Sequence, residues 1–439
     1  MKFTKSNQLR KAAHRLIPGA AHTYGKGDDQ FPARSPGFIA RGKGAYVWDV
    51  DGNKFLDWTM GLRTVVLGHG YKSVVDKVQK QLANGTNFPR PSTLEHELAG
   101  LLVKLIPSAE MVKFNKNGSA TTSAAVKLAR AYTKRDMIAM PAGGYNGSDD
   151  WCITTTPMKA GIPKAIQKLT TTFTYNDIST VKKMFKNHKN KIACVILEPA
   201  SEIEPENNFL QKLKKLCRKN GTLLIFDEMI TGFRWHLKGA QYNYKVTPDL
   251  ATFGKAMANG FSLAALVGRK DIMNLGSIYK KSNRERVFLL TSTHGAETHS
   301  LVAAIETIRE LQKQKVISHI HATGLKLKKQ LNQIHVHNNL EKVLDIIGQR
   351  GGRLALKVSD YGKYSSAQIT TYLYQEVISN GILFNGYFAP SYSHKEQEIK
   401  KTVAVWGYAC KNLRSALDNG ELVKKLIGDP IRPVFRKYN

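Results

Sequence analysis

The sequence predicts an α/β protein: a large domain with a mostly parallel sheet, joined to a smaller α+β domain. Three observations lead there. Residues 193–197 (ACVIL) and 222–226 (TLLIF) are short apolar runs bounded by polar or turn residues, as strands buried on both faces read. Phe209–Lys219 lies between them with helical periodicity, so the three segments form a βαβ crossover. Strand-like and helix-like stretches alternate from Phe114 onward, until a long helical pattern, LVAAIETIRELQKQ, begins at about Leu301.

The remaining elements follow in chain order. The basic opening stretch lacks the apolar region of a secretory signal and reads as a first helix that stops before Pro18-Gly19. Alternating runs at 45–49 and 54–58 flank Asp51-Gly52-Asn53, which predicts a hairpin. Helical patterns follow at 72–83 and 94–105. The expected organisation is an N-terminal segment, 1–75, belonging to the small domain; a large α/β domain, 76–320; and a C-terminal α+β portion, 321–439.

Composition narrows the function classes. The chain has 439 residues, 42% of them hydrophobic, enough for a large core. No run of about 18 apolar residues occurs, so no membrane span is expected. Cys152, Cys194, Cys217 and Cys410 form no CxxC pair and have no His at ligand spacing. Neither a zinc site nor a disulfide framework is expected, and a reducing cytoplasm is the natural setting. Lys and Arg number 66 against 34 Asp and Glu, a formal charge of +32. The excess is spread along the chain without a nucleic-acid-binding motif. It reads as solvated helix faces, with attraction for anionic small molecules as a by-product.

Three segments carry candidate chemistry. In Leu223-Leu224-Ile225-Phe226-Asp227-Glu228 a carboxylate stands at the C-terminal end of a buried strand, where open α/β sheets bind ligands. A buried Asp needs a cationic or hydrogen-bonding partner. A protonated pyridine nitrogen would serve, and so would the amides of a helix capped by Asp227. In Thr252-Phe253-Gly254-Lys255-Ala256-Met257 the neighbours of Lys255 are small and leave room for a bulky group on its amine, although a lysine taken alone is more often solvated. Lys116-Asn117-Gly118-Ser119 opens an Ala-rich helix. Free N–H groups and a hydroxyl at such a start make a phosphate cradle, and Asn117 or Ser119 would equally serve as a plain N-cap.

A phosphate cradle, then an Asp at a strand end, then a lysine is an order used by pyridoxal-phosphate enzymes. The chain resembles the class III aminotransferases, of PLP-dependent transferase fold type I, and among them glutamate-1-semialdehyde 2,1-aminomutase and its aminotransferase-like relatives. The resemblance rests on GKGAYVWDVDGNKFLDW, LIPSAEMVKF, LLIFDEMITGFR and TFGKAMANGF, which span nearly the whole chain. It implies pyridoxal 5'-phosphate as cofactor, held as a Schiff base on Lys255, which then moves the proton. It implies Asp227 at the pyridine nitrogen, Gly118 and Ser119 at the phosphate, Tyr145 stacked on one face of the ring and Met229 packed on the other. Thr293 matches the family threonine that reaches the phosphate of the other subunit, which implies a homodimer with shared active sites.

Some positions depart from the family pattern. Ala120 stands where an acidic residue is common, and Asn146 where many members have His. The Arg that binds the substrate carboxylate in the aminomutase is replaced by Lys26, and a Trp before the Leu-Gly-His segment by Leu62, with Arg63 following. The cofactor site therefore reads as kept and the substrate site as rebuilt around Lys26 and Arg63. The reading is an aminotransferase acting between an amine donor and a keto or aldehyde acceptor, anionic in character, in a ping-pong cycle through pyridoxamine phosphate. The alternatives are the aminomutase, forming 5-aminolevulinate, and a PLP-dependent racemase.

Overall fold

The structure, a computed structural model, describes residues 1–279, 282 and 284–432. The chain divides into two compact units: Lys72–Ile317, and Met1–Tyr71 with the chain from Ser318 onward. Among the described residues no helix is long and apolar enough to cross a membrane.

The second of these units starts with the helix Thr4–Leu16, which ends two residues before Pro18, with Ile17 extended between them, as a proline boundary favours. Strands β1 (Ile39–Lys43), β2 (Tyr46–Asp49) and β3 (Lys54–Asp57) follow, each antiparallel to the next. The expected hairpin is β2–β3. Asp49 Oδ1 closes its turn by accepting the N–H groups of Asp51 at 3.0 Å and Asn53 at 2.7 Å. Gly52 takes a φ of +87°, which a side chain would resist.

The large unit is built on seven strands: β4 (Met111–Asn115), β5 (Met137–Pro141), β6 (Thr170–Phe173), β7 (Ile192–Leu197), β8 (Leu223–Glu228), β9 (Leu250–Phe253) and β10 (Ala264–Gly268). Their order is β4-β10-β9-β8-β7-β5-β6. The pairs β5–β6, β5–β7, β7–β8 and β8–β9 are parallel, while β10 runs antiparallel to both its neighbours. Every residue of β7 and β8 is buried, as expected of parallel strands covered by helices on both faces. The strand β8 extends beyond its apolar run to include Asp227 and Glu228, because both carboxyl groups find hydrogen-bond donors inside.

The helix Phe209–Lys219 joins β7 to β8. It buries Phe209, Leu210, Leu213 and Cys217, while Lys212, Lys214, Lys215, Arg218 and Lys219 are exposed. This basic run is a solvated helix face, as its spacing predicts. The helix expected at 94–105 is Thr93–Leu105, opened by a capping box between Ser92 and Glu95. The long helix begins at Thr298 rather than Leu301 and ends at Lys313. Lys315, at a φ of +50°, separates it from a second helix, Val316–His337.

The chain then completes the smaller unit. β11 (Leu344–Ile347), β12 (Leu354–Val358) and β14 (Tyr387–Phe388) form an antiparallel sheet, and β13 (Ile382–Leu383) adds in parallel to β3. Trp58, Phe384, Phe388 and Trp406 are fully buried and meet ring to ring, with Phe384 and Phe388 centroids 4.4 Å apart.

Candidate active site

The C-terminal end of β8 carries Asp227, a buried carboxylate held on both oxygens. Oδ1 accepts from the Met229 N–H at 3.1 Å and from Thr252 Oγ1 at 3.2 Å, and Oδ2 accepts from Asn146 Nδ2 at 2.9 Å. Thr252 is there because Asp227 and Thr252 are register partners across β8 and β9. Burial pushes the carboxyl pKa up and the nearby Glu198 adds to this, while the Asn146 amide and the charge of Lys255 work the other way. Asp227 is thus poised to take a cationic partner. It does not cap a helix. The neighbouring Glu228 has the structural task instead: it accepts the N–H groups of Ala240 at 2.6 Å and Gln241 at 3.0 Å, and Thr231 Oγ1 at 2.7 Å.

A helix N-terminus supplies the second part. Gly118–Thr133 starts directly after β4, and Asn117 caps it by accepting the Ala120 N–H at 2.9 Å. The Ser119 hydroxyl accepts the N–H of Ser148 at 3.0 Å, and Thr122 Oγ1 donates to the Asn146 carbonyl at 2.6 Å. These bonds draw the loop after β5 onto the helix start. Gly147, at a φ of +132°, makes the approach possible: a β-carbon there would stand 3.0 Å from Ser119 Cα. The same loop carries Tyr145, partly exposed, and Asn146, which is 3% exposed. Asn146 Oδ1 is buried with no hydrogen-bond partner.

Lys255 opens a 3-10 turn immediately after β9 and Gly254. Its φ of +44° is a conformation that L side chains resist, and such strain gathers at functional sites. Met229 ties the parts together. A β-carbon on Gly118 would stand 3.1 Å from its sulfur, and one on Gly254 only 2.7 Å away. Both glycines therefore leave the space that the Met229 side chain fills.

The structure thus gathers Gly118, Asp227 and Met229 with Lys255, whose charge reaches Asp227, and ties Ser119 to the loop bearing Tyr145 and Asn146. Thr293 is exposed in the segment before the helix Thr298–Lys313, where its carbonyl accepts from Asn87 Nδ2 at 3.0 Å. Lys26 and Arg63 belong to the smaller unit. Lys26 is exposed on the turn Tyr24–Lys26. Arg63 ends a run, Met60 to Arg63, in which every φ is positive, and its guanidinium lies 4.0 Å from the Tyr387 ring centroid. Two contributors escape a reading of the sequence. Thr252 becomes visible only once 250–253 is placed as the strand beside β8. The bond from Asn146 to Asp227 spans 81 residues and leaves no local signal.

This arrangement fits pyridoxal phosphate. Unpaired amides at a helix start suit a phosphate, a buried carboxyl suits a protonated ring nitrogen, a lysine stands within its electrostatic reach, and the orphaned Asn146 Oδ1 lacks a donor.

Comparison with known proteins bears this out at the level of family. The model of the class-III aminotransferase family matches residues 30–403. A glutamate-1-semialdehyde 2,1-aminomutase from Listeria welshimeri is 32% identical over 440 residues, covering 94% of this chain and 100% of the relative. A second, from Alkaliphilus oremlandii, is also 32% identical, covering 91% of this chain and 97% of the relative. Among solved structures, an omega-transaminase from Sphaerobacter thermophilus superposes with a TM-score of 0.84 at 25% identity, covering 93% of this chain and 98% of the other. A glutamate-1-semialdehyde aminomutase from Pseudomonas aeruginosa shares the fold, with a TM-score of 0.81 at 16% identity over 94% of this chain and 95% of the other. The chain belongs to the class III aminotransferases and is a pyridoxal-phosphate-dependent enzyme of fold type I.

Proposed function

We propose that this enzyme transfers an amino group between separate molecules, from an amine donor to a keto or aldehyde acceptor, with Lys255 carrying the cofactor. When bound, pyridoxal phosphate supplies an electron sink for the charge left on the substrate carbon that loses its proton. The protein does the rest. Asp227, oriented by Met229 N–H, Thr252 and Asn146, holds the protonated ring nitrogen. The start of the helix Gly118–Thr133 and Ser119 hold the phosphate. Met229 covers one face of the ring and Tyr145 the other. Lys255 Nζ would take the proton from the substrate carbon as general base and later give it up as general acid.

Transfer is favoured over the aminomutase reaction by the kind of cation that the family resemblance assigns to the substrate, Lys26 with Arg63. The relatives' names favour the aminomutase as the second reading. An aminomutase must keep its diamino intermediate bound while it turns, and a guanidinium fork fixes a carboxylate in a plane. Lys26 offers instead a point charge on a flexible, exposed stem. Leu62 lies against the same turn, its methyl groups 3.8 Å from where a β-carbon on Gly25 would stand, which brings the Arg63 segment beside Lys26. Arg63, stacked on Tyr387, is the one planar cation of the pair. Together they suit an anionic group on a substrate that leaves after the first half-reaction.

Two further features belong to this reading. Thr293 and Phe288 are exposed in one loop of the large unit, which supports a homodimer in which Thr293 reaches the partner's phosphate. The four cysteines are free and buried, which supports a reducing, cytoplasmic setting.

The test is to give the purified holoenzyme glutamate-1-semialdehyde as sole substrate, and separately a panel of amine donors. Transfer predicts that several donors discharge the visible absorbance without an acceptor, and that 5-aminolevulinate forms weakly or not at all. Sustained 5-aminolevulinate formation at rates typical of a working enzyme would contradict it.

A further inference from the structure

Asn146 is anchored before its side chain does anything. Its N–H donates to Cys152 Sγ at 3.2 Å, its carbonyl accepts from Thr122 at 2.6 Å, and the next residue, Gly147, is pressed on Ser119. The side chain therefore has little freedom. It donates through Nδ2 to Asp227 Oδ2 at 2.9 Å, and the carboxylate dictates which end of the amide faces it, because only the NH2 can donate. Oδ1 is the end left over, buried and without a partner. A buried acceptor without a donor is destabilising. The arrangement has the form of a site that is completed on binding.

We propose that Asn146 is a positioning residue for amino-group transfer. Its amide nitrogen fixes the plane of the Asp227 carboxylate, and the grip does not change with pH. This rests on the reading of Asp227 as the partner of the ring nitrogen. The three donors to Asp227 are a backbone amide, a hydroxyl and a side-chain amide, and none titrates in the working range. The charged and titratable groups facing it are Glu198 after β7 and Lys255 after β9, with the Cys152 thiol behind Asn146 and Asp149 beside that. An imidazole in place of Asn146 would add a group titrating near pH 6.5.

The experiment uses holoenzyme of the wild type and of Asn146→Leu, Asn146→His and Asp227→Asn. The readouts are the visible absorbance of bound cofactor between about pH 5 and 9, kcat and KM for one amine donor, and the melting temperature. In Asn146→Leu the pH midpoint of the visible band should move by about half a unit or more, and kcat should fall about tenfold with KM nearly unchanged. In Asn146→His most turnover should survive, with a new pH-dependent step near neutrality. If Asn146→Leu only lowers the melting temperature, while Asp227→Asn alters band and kcat, the proposal is overturned and the reading of Asp227 stands. If Asp227→Asn also leaves the band unmoved, that reading fails and the proposal falls with it.

Discussion

The sulfur of Met229 lies 2.7 Å from where a β-carbon on Gly254 would stand. Gly254 has an extended φ of −178°, so alanine would suit the backbone, and the conflict is with Met229 alone and, at 3.3 Å, the Leu263 carbonyl. Gly254→Ala should therefore fold, at a cost of about 1–3 kcal/mol, and displace Met229 from the position proposed for it against the cofactor. The expected outcome is weaker retention of pyridoxal phosphate on dialysis. Wild-type retention would show that the Met229 contact does not matter to binding.

Asp227→Asn removes the charge proposed to keep the ring nitrogen protonated, while the side chain can still be held by Thr252 and Met229. Cofactor should still bind, and turnover should fall about 100-fold or more. Single-turnover kinetics with an amine donor checks this, and near-normal rates would remove Asp227 from the reaction.

Where the candidate residues sit in the fold was largely legible in the sequence, and the limits have physical causes. Asp227 and Lys255 stand at strand ends, and strand ends can be read from apolar runs. Gly118 opens a helix, and helix starts have a local grammar. Glu228 is the instructive case: as a second carboxylate beside Asp227 it looks equally chemical, yet it serves to hold the turn at Ala240 and Gln241. Which of the two faces a ligand depends on the alternation of β8, known only once the strand is seen to run through both. The left-handed run at Met60–Arg63 was illegible, since Met and Leu are poor candidates for positive φ. Asp57 holds it by accepting from Thr59 and Met60.

Acid should weaken the smaller unit. Burial pushes the pKa of His335 down to about 4 and that of His394 to about 3, against an ordinary value of 6.5. Between these values the unfolded chain binds more protons than the folded one, so the stability present above pH 6.5 is lost as pH falls toward 4. His335 Nε2 accepts from Trp406 Nε1 at 2.9 Å, a bond that glutamine can imitate without titrating. The melting temperature of His335→Gln should fall less steeply than that of the wild type over this window, by on the order of 5 °C at its acid end. Parallel curves would show that His335 is not a source of the acid sensitivity.

Lys134 ends the helix Gly118–Thr133 in a left-handed conformation, φ +57° and ψ +37°, and is exposed. Glycine adopts this conformation without strain. Lys134→Gly should raise stability by about 1 kcal/mol in denaturant unfolding, with activity unchanged. A loss of stability would mean that the lysine side chain contributes more than its backbone costs.

The most direct test of the account concerns Lys255. Holoenzyme reduced with borohydride, digested and mapped by mass spectrometry should carry the pyridoxyl group on Lys255, in the peptide that contains Gly254 and Met257, with loss of the visible band. An adduct on any other lysine, or a protein that keeps its visible band after reduction, would contradict the assignment on which the mechanism rests.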